Sequence, residues 1–378
     1  MGFFRRITDL ITPLPSQHDA VRQDTPPPPE PDADPEATVR LVPELGKLIL
    51  AEDMNSPEAA LAIAELKRIG NVIGLYVAAA KMRFFLDAKR AEGQVIHKDR
   101  GYVLAADFIF QHLTRELNGI DTVGHEIGPN VFRSYCNELV ACLVSGKNVR
   151  RTVEVPMILV DNLLERALSA VEHRDTYLSL IPQVLDSAYA QVLAKYEADQ
   201  RDRARRRQER KADSGTSSGT NSGTNSHPSA ILDPSHSFDG DAVEYMKEMG
   251  TRITESVRAF GECTAVQVSH VGAVPPDAAV AQRCLAFLQQ VAPIADKAGY
   301  QGLVALVAQR TAAALSVAQP DHQAEFWTRA AKAHELQADR EARLLLFKLS
   351  KRRYKAAQDA YLRAGDAPNA ASVGQKMA

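Results

Sequence analysis

Two apolar ladders constrain this chain more than any other feature. From Val155 onward, Val160, Leu163, Leu164, Ala167, Leu168 and Val171 recur at steps of three and four. The run from Thr176 repeats the pattern with Ile181, Val184, Leu185, Ala188, Tyr189, Val192, Leu193 and Tyr196. Steps of three and four put side chains on one face of a 3.6-residue helix. No comparable alternation of the kind a half-buried strand needs is present. An aromatic content of 6% and plentiful alanine favour helices over sheets as well. The expected fold class is all-α: two helical-bundle domains joined by a flexible Ser/Gly/Thr/Asn linker, with a tethered N-terminal amphipathic helix.

The domain limits follow from punctuation. Residues 1–15 are read as an amphipathic docking helix, because Phe3, Phe4, Ile7, Leu10 and Ile11 share helical spacing with Arg5 and Arg6 between them. Residues 16–37 are a spacer: "TPPPPEPDADPEA" lacks donors, favours extended polyproline geometry and stays solvated through its acids. Residues 38–212 form a helical domain ending in a charged helix extension. Within it, Ser56 and Pro57 are an N-cap and first helical residue, with Glu58 in the first turn. Ile69–Ala80, "IGNVIGLYVAAA", is a buried helix segment, and Gly119 is expected to close the helix that starts near Gly101.

Residues 213–238, rich in Ser, Gly, Thr and Asn, are a linker. Residues 239–378 form a second helical domain. Its first helix is read as one run from Asp241 to Gly272, before Pro275 and Pro276 break the chain. Between Asp321 and Gly365 there is no proline or glycine to interrupt a helix. Trp327, Ala331 and His334, with Ala357, Tyr361 and Ala364 further on, resemble the two helices of a tetratricopeptide unit over some forty residues. The two placements do not share one register, so a helical-repeat array and a plain bundle with aromatic core residues both stand.

The motif spacings exclude more chemistry than they assign. "SGKN" at 145–148 is not a phosphate loop: Ala141 stands where that motif needs glycine, and Asn148 where it needs Ser or Thr. Gly146 is read instead as a helix C-terminal glycine. The ten histidines form no H-x-x-x-H or E-x-x-H pair. His112 and Glu116 are read as an i,i+4 side-chain pair rather than metal ligands. His125 and Glu126 fall in an inter-helix loop. Cys136, Cys142, Cys263 and Cys284 form no C-x-x-C pair and are read as reduced, buried thiols. No catalytic residue, cofactor site or metal site is assigned, and no small-molecule substrate is indicated.

Two segments suit a partner. The terminal segment (Phe3, Phe4, Arg5, Arg6, Ile7, Leu10, Ile11) suits a protein groove or an anionic bilayer surface. The basic cluster Arg205, Arg206, Arg207, Arg210 and Lys211 suits an acidic partner, nucleic acid included. Glu197, Asp199 and Asp202 precede Arg201, Arg203 and Arg206 by four, which also makes the cluster a charge-paired helix end. A net charge of −2 argues against gripping nucleic acid over the whole surface. The first apolar run is short, is broken by Arg5, Arg6 and Asp9, and lacks a small-residue cleavage site, so cytoplasmic residence is expected, with peripheral membrane contact. The functional expectation is a non-catalytic scaffold or adaptor. The alternatives are a nucleic-acid-associated protein and an enzyme without a recognisable motif.

Overall fold

A computed structural model describes residues 35–93, 98–124, 126–146, 149–169, 173–215, 240–261, 263 and 277–377. Among these there are thirteen α-helices and no strand. They are α1 (Pro35–Leu50), α2 (Pro57–Ile73), α3 (Leu75–Glu92), α4 (Lys98–Val123), α5 (Pro129–Ser145), α6 (Val149–Ser169) and α7 (Arg174–Gly215). After residues 216–239 come α8 (Gly240–Gly261), α9 (Ala278–Ala298), α10 (Gln301–Ala318), α11 (Gln323–Arg343), α12 (Phe347–Arg363) and α13 (Ala367–Lys376). Most consecutive helices pack on one another, joined by short turns. The terminal segment 1–15 and most of the spacer and linker lie outside the described residues.

The ladders behave as expected. Leu163, Leu164, Ala167 and Leu168 on α6 are buried, as are Ile181, Val184, Leu185, Ala188 and Val192 on α7. At the start of α2 the Ser56 side chain accepts from the Ala59 N–H and Pro57 opens the helix. Gly146 donates its N–H to the Cys142 carbonyl and ends α5. Residues from Ala37 to Leu349 belong to one continuous apolar core, drawn from helices on both sides of residues 216–239.

Several local expectations need correction. Gly119 does not close its helix; α4 runs on to Val123, because Ile120 is buried in the core and holds one more turn in register. The run Ile69–Ala80 is two helices, since Gly74 adopts a φ of 87° that ends α2 and turns the chain into α3. α1 starts at Pro35, three residues before the expected limit, with Ala37 buried. The glycine-free run to Gly365 is broken after Arg343. There Leu345 takes a left-handed φ of 58°, and the Leu346 N–H reaches back to the Glu341 carbonyl at 2.9 Å. This is a Schellman stop with leucine at the position glycine usually fills. α12 ends in the same way with Gly365 (φ 79°), the Asp366 N–H meeting the Tyr361 carbonyl at 2.9 Å. α11 and α12 therefore form a hairpin that buries Trp327, Ala331 and His334 with Ala357 and Tyr361. The guanidinium of Arg363 lies 4.8 Å from the Trp327 ring, closing the open end of the hairpin.

Candidate functional site

The described residues place polar chemistry in two settings, a sealed junction and a projecting arm. The junction starts on α6. Glu154, Asp161, Asn162 and Glu165 recur at intervals of seven, eight and eleven, so they share one face. Each meets a residue from beyond the linker. Glu154 accepts the backbone N–H of Lys348 at 2.9 Å, so a carboxylate from α6 caps the first turn of α12. That turn has no side-chain cap of its own, and its dipole favours the negative charge. Asn162 accepts from Arg352 at 3.2 Å, and Glu165 pairs with Arg310 at 3.1 Å.

Asp161 is the centre. Both its carboxylate oxygens accept from Nη2 of Arg353, at 2.7 and 2.6 Å, and Oδ1 also accepts the Tyr300 hydroxyl at 2.7 Å. Gly302 sits against this cluster; a Cβ there would fall 2.7 Å from the Tyr300 ring and 2.8 Å from Arg353 Nη2. On its other edge, Nε of Arg353 faces Glu341 at 3.8 Å. Glu341 in turn accepts from Gln337 at 2.9 Å and from the Tyr245 hydroxyl at 3.3 Å. Five helices, α6, α8, α10, α11 and α12, thus converge on one hydrogen-bonded group, counting Tyr300 as the cap residue of α10.

Burial sets the electrostatics. Glu341 is 0% exposed, and burial pushes its carboxyl up to about 7, against the pull of Arg353. One guanidinium cannot neutralise two buried carboxylates, and Arg353 makes its closer contact with Asp161, so Glu341 is the carboxyl that holds a proton below about pH 7. Burial works against the charge on Arg353, yet Asp161 holds its pKa above the ordinary range. Burial also raises the phenols of Tyr245 and Tyr300. His334, on the same side of α11, is 6% exposed with neither ring nitrogen hydrogen-bonded; burial, with Arg353 nearby, drives its pKa down to about 3. It is a neutral core histidine. Beside Glu154, burial raises half-buried Asp107 to about 6 and lowers Lys348 to about 8. Such groups can hold protons and lock helices together, and every member of the Asp161–Glu341 group is buried.

The arm is the end of α7. Among its residues of described burial Val192 is the last buried one, and residues 200–209 are all exposed. At 1.5 Å per residue, the stretch from Gln200 to Gly215 extends the helix by roughly 24 Å. Arg205, Arg206 and Arg207 lie exposed on it, as expected, and Arg210 and Lys211 fall within the same helix. Arg205 is engaged by Asp202 at 3.5 Å and Glu209 at 3.7 Å. Phe3, Phe4, Arg5, Arg6, Ile7, Leu10 and Ile11 lie outside the described residues, as does His125.

The remaining candidates are structural. His112 Nε2 stands 3.8 Å from Glu116 within an aromatic group, its ring 5.7 Å from Tyr76 and 4.6 Å from Tyr135. Cys136, Cys142 and Cys284 are buried free thiols, and Cys263 is half-buried. Among the described residues no cluster of His, Cys, Asp and Glu could hold a metal ion, and no helix is long and apolar enough to cross a membrane. A shallow recess between α9, α10 and α11, bordered by the Arg329–Asp296 pair, encloses about 10 Å³, the room of a single water molecule and far below a ligand pocket.

Among the described residues the protein is all-helical, and the buried charged groups of the junction link helices to one another. No protein-family model matches the chain, and neither a curated protein nor a solved structure is detectably similar to it.

Proposed function

We propose that this protein is a non-catalytic helical scaffold or adaptor in the cytoplasm. The helices on either side of residues 216–239 serve as its two domains, and Phe3, Phe4, Ile7, Leu10 and Ile11 dock on a protein partner or a membrane surface. The observation that supports this reading is the outer face of α1, the first helix after the spacer. Val39, Val42 and Leu50 share one helical face there and are 75%, 43% and 55% exposed, opposite the buried Leu41, Leu45 and Leu48. A helix with a second, uncovered apolar stripe is the surface an interaction module presents. The terminal segment adds five large apolar side chains, each contributing ~1.5–3 kcal/mol if fully buried, less the cost of ordering a short helix. Arg5 and Arg6 add attraction to anionic lipid.

The test compares full-length protein with a chain lacking Gly2–Pro15, by affinity purification and by flotation with phosphatidylserine vesicles. The reading predicts that the deletion loses a defined partner or the vesicle-bound fraction. Unchanged partners together with an unchanged membrane fraction would contradict it.

A further inference from the structure

We infer that the projecting end of α7 is an arm that binds duplex DNA through its phosphates, without reading sequence. Helical register separates its charges. At 100° per residue, Arg203, Arg206 and Arg207 lie on one face, and the same register brings positions 210 and 211 onto it. Asp202 and Glu209 lie to the other side, where both meet Arg205. Asp199, one turn below the basic stripe, is bound to Lys195. What remains is a basic stripe that begins at Arg203, Arg206 and Arg207, and positions 210 and 211 continue its register to about 12 Å along the helix axis.

Three features select the partner. First, seven bases and three acids between Arg201 and Asp213 give this stretch a net charge of +4, in a chain whose total is −2. The arm is thus net positive while the remainder of the chain is net −6, a balance that turns the arm toward a polyanion. Second, the arm beyond Gln200 carries no apolar residue larger than alanine, so it lacks the face an interfacial membrane helix inserts. Third, the arm is a bare rod. A helix of roughly 10–12 Å diameter fits the ~12 Å major groove of B-DNA, whereas the major groove of A-form RNA is too narrow. Arginine forks match phosphate oxygens, and with no asparagine on the arm and Gln200 and Gln208 its only glutamines, little is offered to base edges.

The test measures binding of the full chain to a labelled 20-base-pair duplex of arbitrary sequence across a potassium chloride series. Log K is expected to fall linearly with log salt, with a slope of about −3 to −5, near 0.9 per phosphate contacted. Two double variants then remove equal charge from opposite faces. Arg203→Ala with Arg207→Ala should cut the slope by about two and weaken binding about tenfold or more at low salt. Arg201→Ala with Arg205→Ala should change affinity by less than about threefold. All four side chains are exposed, so an unchanged melting temperature certifies the folds. Equal effects of the two doubles would overturn the assignment. So would absence of duplex binding at low salt, RNA duplex binding as tight as DNA, or tighter association with phosphatidylserine vesicles or polyglutamate.

Discussion

Arg353 and Arg206 are the same side chain put to opposite uses. Arg353 is 6% exposed, its Nη2 on Asp161 and Tyr300; Arg206 stands in water on a helix that has left the core. The difference lies in what removal would strand. Deleting a partner from a buried pair leaves an uncompensated charge in a low dielectric, and neighbouring polar groups lose their hydrogen bonds. Deleting an exposed arginine returns one site to water. Charge at the junction therefore fixes how the helices before and after residues 216–239 meet, while charge on the arm is available to something else.

The largest effect is expected from breaking the junction. Arg353→Leu should destabilise the protein by about 3–5 kcal/mol in urea unfolding, because Asp161 is left buried and unpaired. A loss below about 1 kcal/mol would mean that the pair does not hold the helices.

Next comes the pH dependence. The carboxyl of Glu341, raised to about 7 from an ordinary value of 4.5, binds its proton more tightly in the folded state than in the unfolded one. Its contribution is thus complete below pH 4.5 and lost as pH rises toward 7, on the order of 3 kcal/mol. Glu341→Gln keeps the hydrogen-bonding shape without the proton and should remove that decline. His334 has the opposite sign: lowered to about 3, it costs stability as pH falls from 6.5 toward 3. His334→Gln should flatten the acid limb, and urea midpoints across pH 4 to 8 check both.

A smaller effect belongs to the α11–α12 turn. Leu345→Gly should stabilise the hairpin by about 1 kcal/mol, since glycine tolerates the left-handed φ and Leu345 is already 46% exposed. The smallest is on the arm: replacing Arg203 and Arg207 with alanine should alter stability by less than about 0.5 kcal/mol.

The same contrast explains what was legible in the chain. The ladders of α6 and α7 announced helices despite Pro156 and Pro182 inside them, because a continuous buried face outweighs one lost hydrogen bond. The cap at Ser56 was readable because it is local. The turn at Leu345 was not, since it uses no punctuating residue, and Gly119 misled because tertiary burial of Ile120 overrode it. The junction was hidden for a different reason. Asp161 and Glu341 are polar residues at buried register positions, and their partners lie 192 positions away for Asp161–Arg353 and 96 for Tyr245–Glu341. The signal present was the spacing of Glu154, Asp161, Asn162 and Glu165 on one face of α6. Arg205 was grouped with Arg206 and Arg207 by adjacency, whereas helical register sets it on the opposite side with Asp202 and Glu209.

The central claim is that Asp161 and Arg353 join the two sets of helices into one unit while the arm stands apart. Amide hydrogen exchange on Asp161→Asn tests it most directly. The account predicts that α6 and α12 lose protection together and by similar factors, with residues 200–215 exchanging equally fast in both proteins. Loss of protection in α12 with α6 unchanged, or protection of the arm that depends on Asp161, would contradict it.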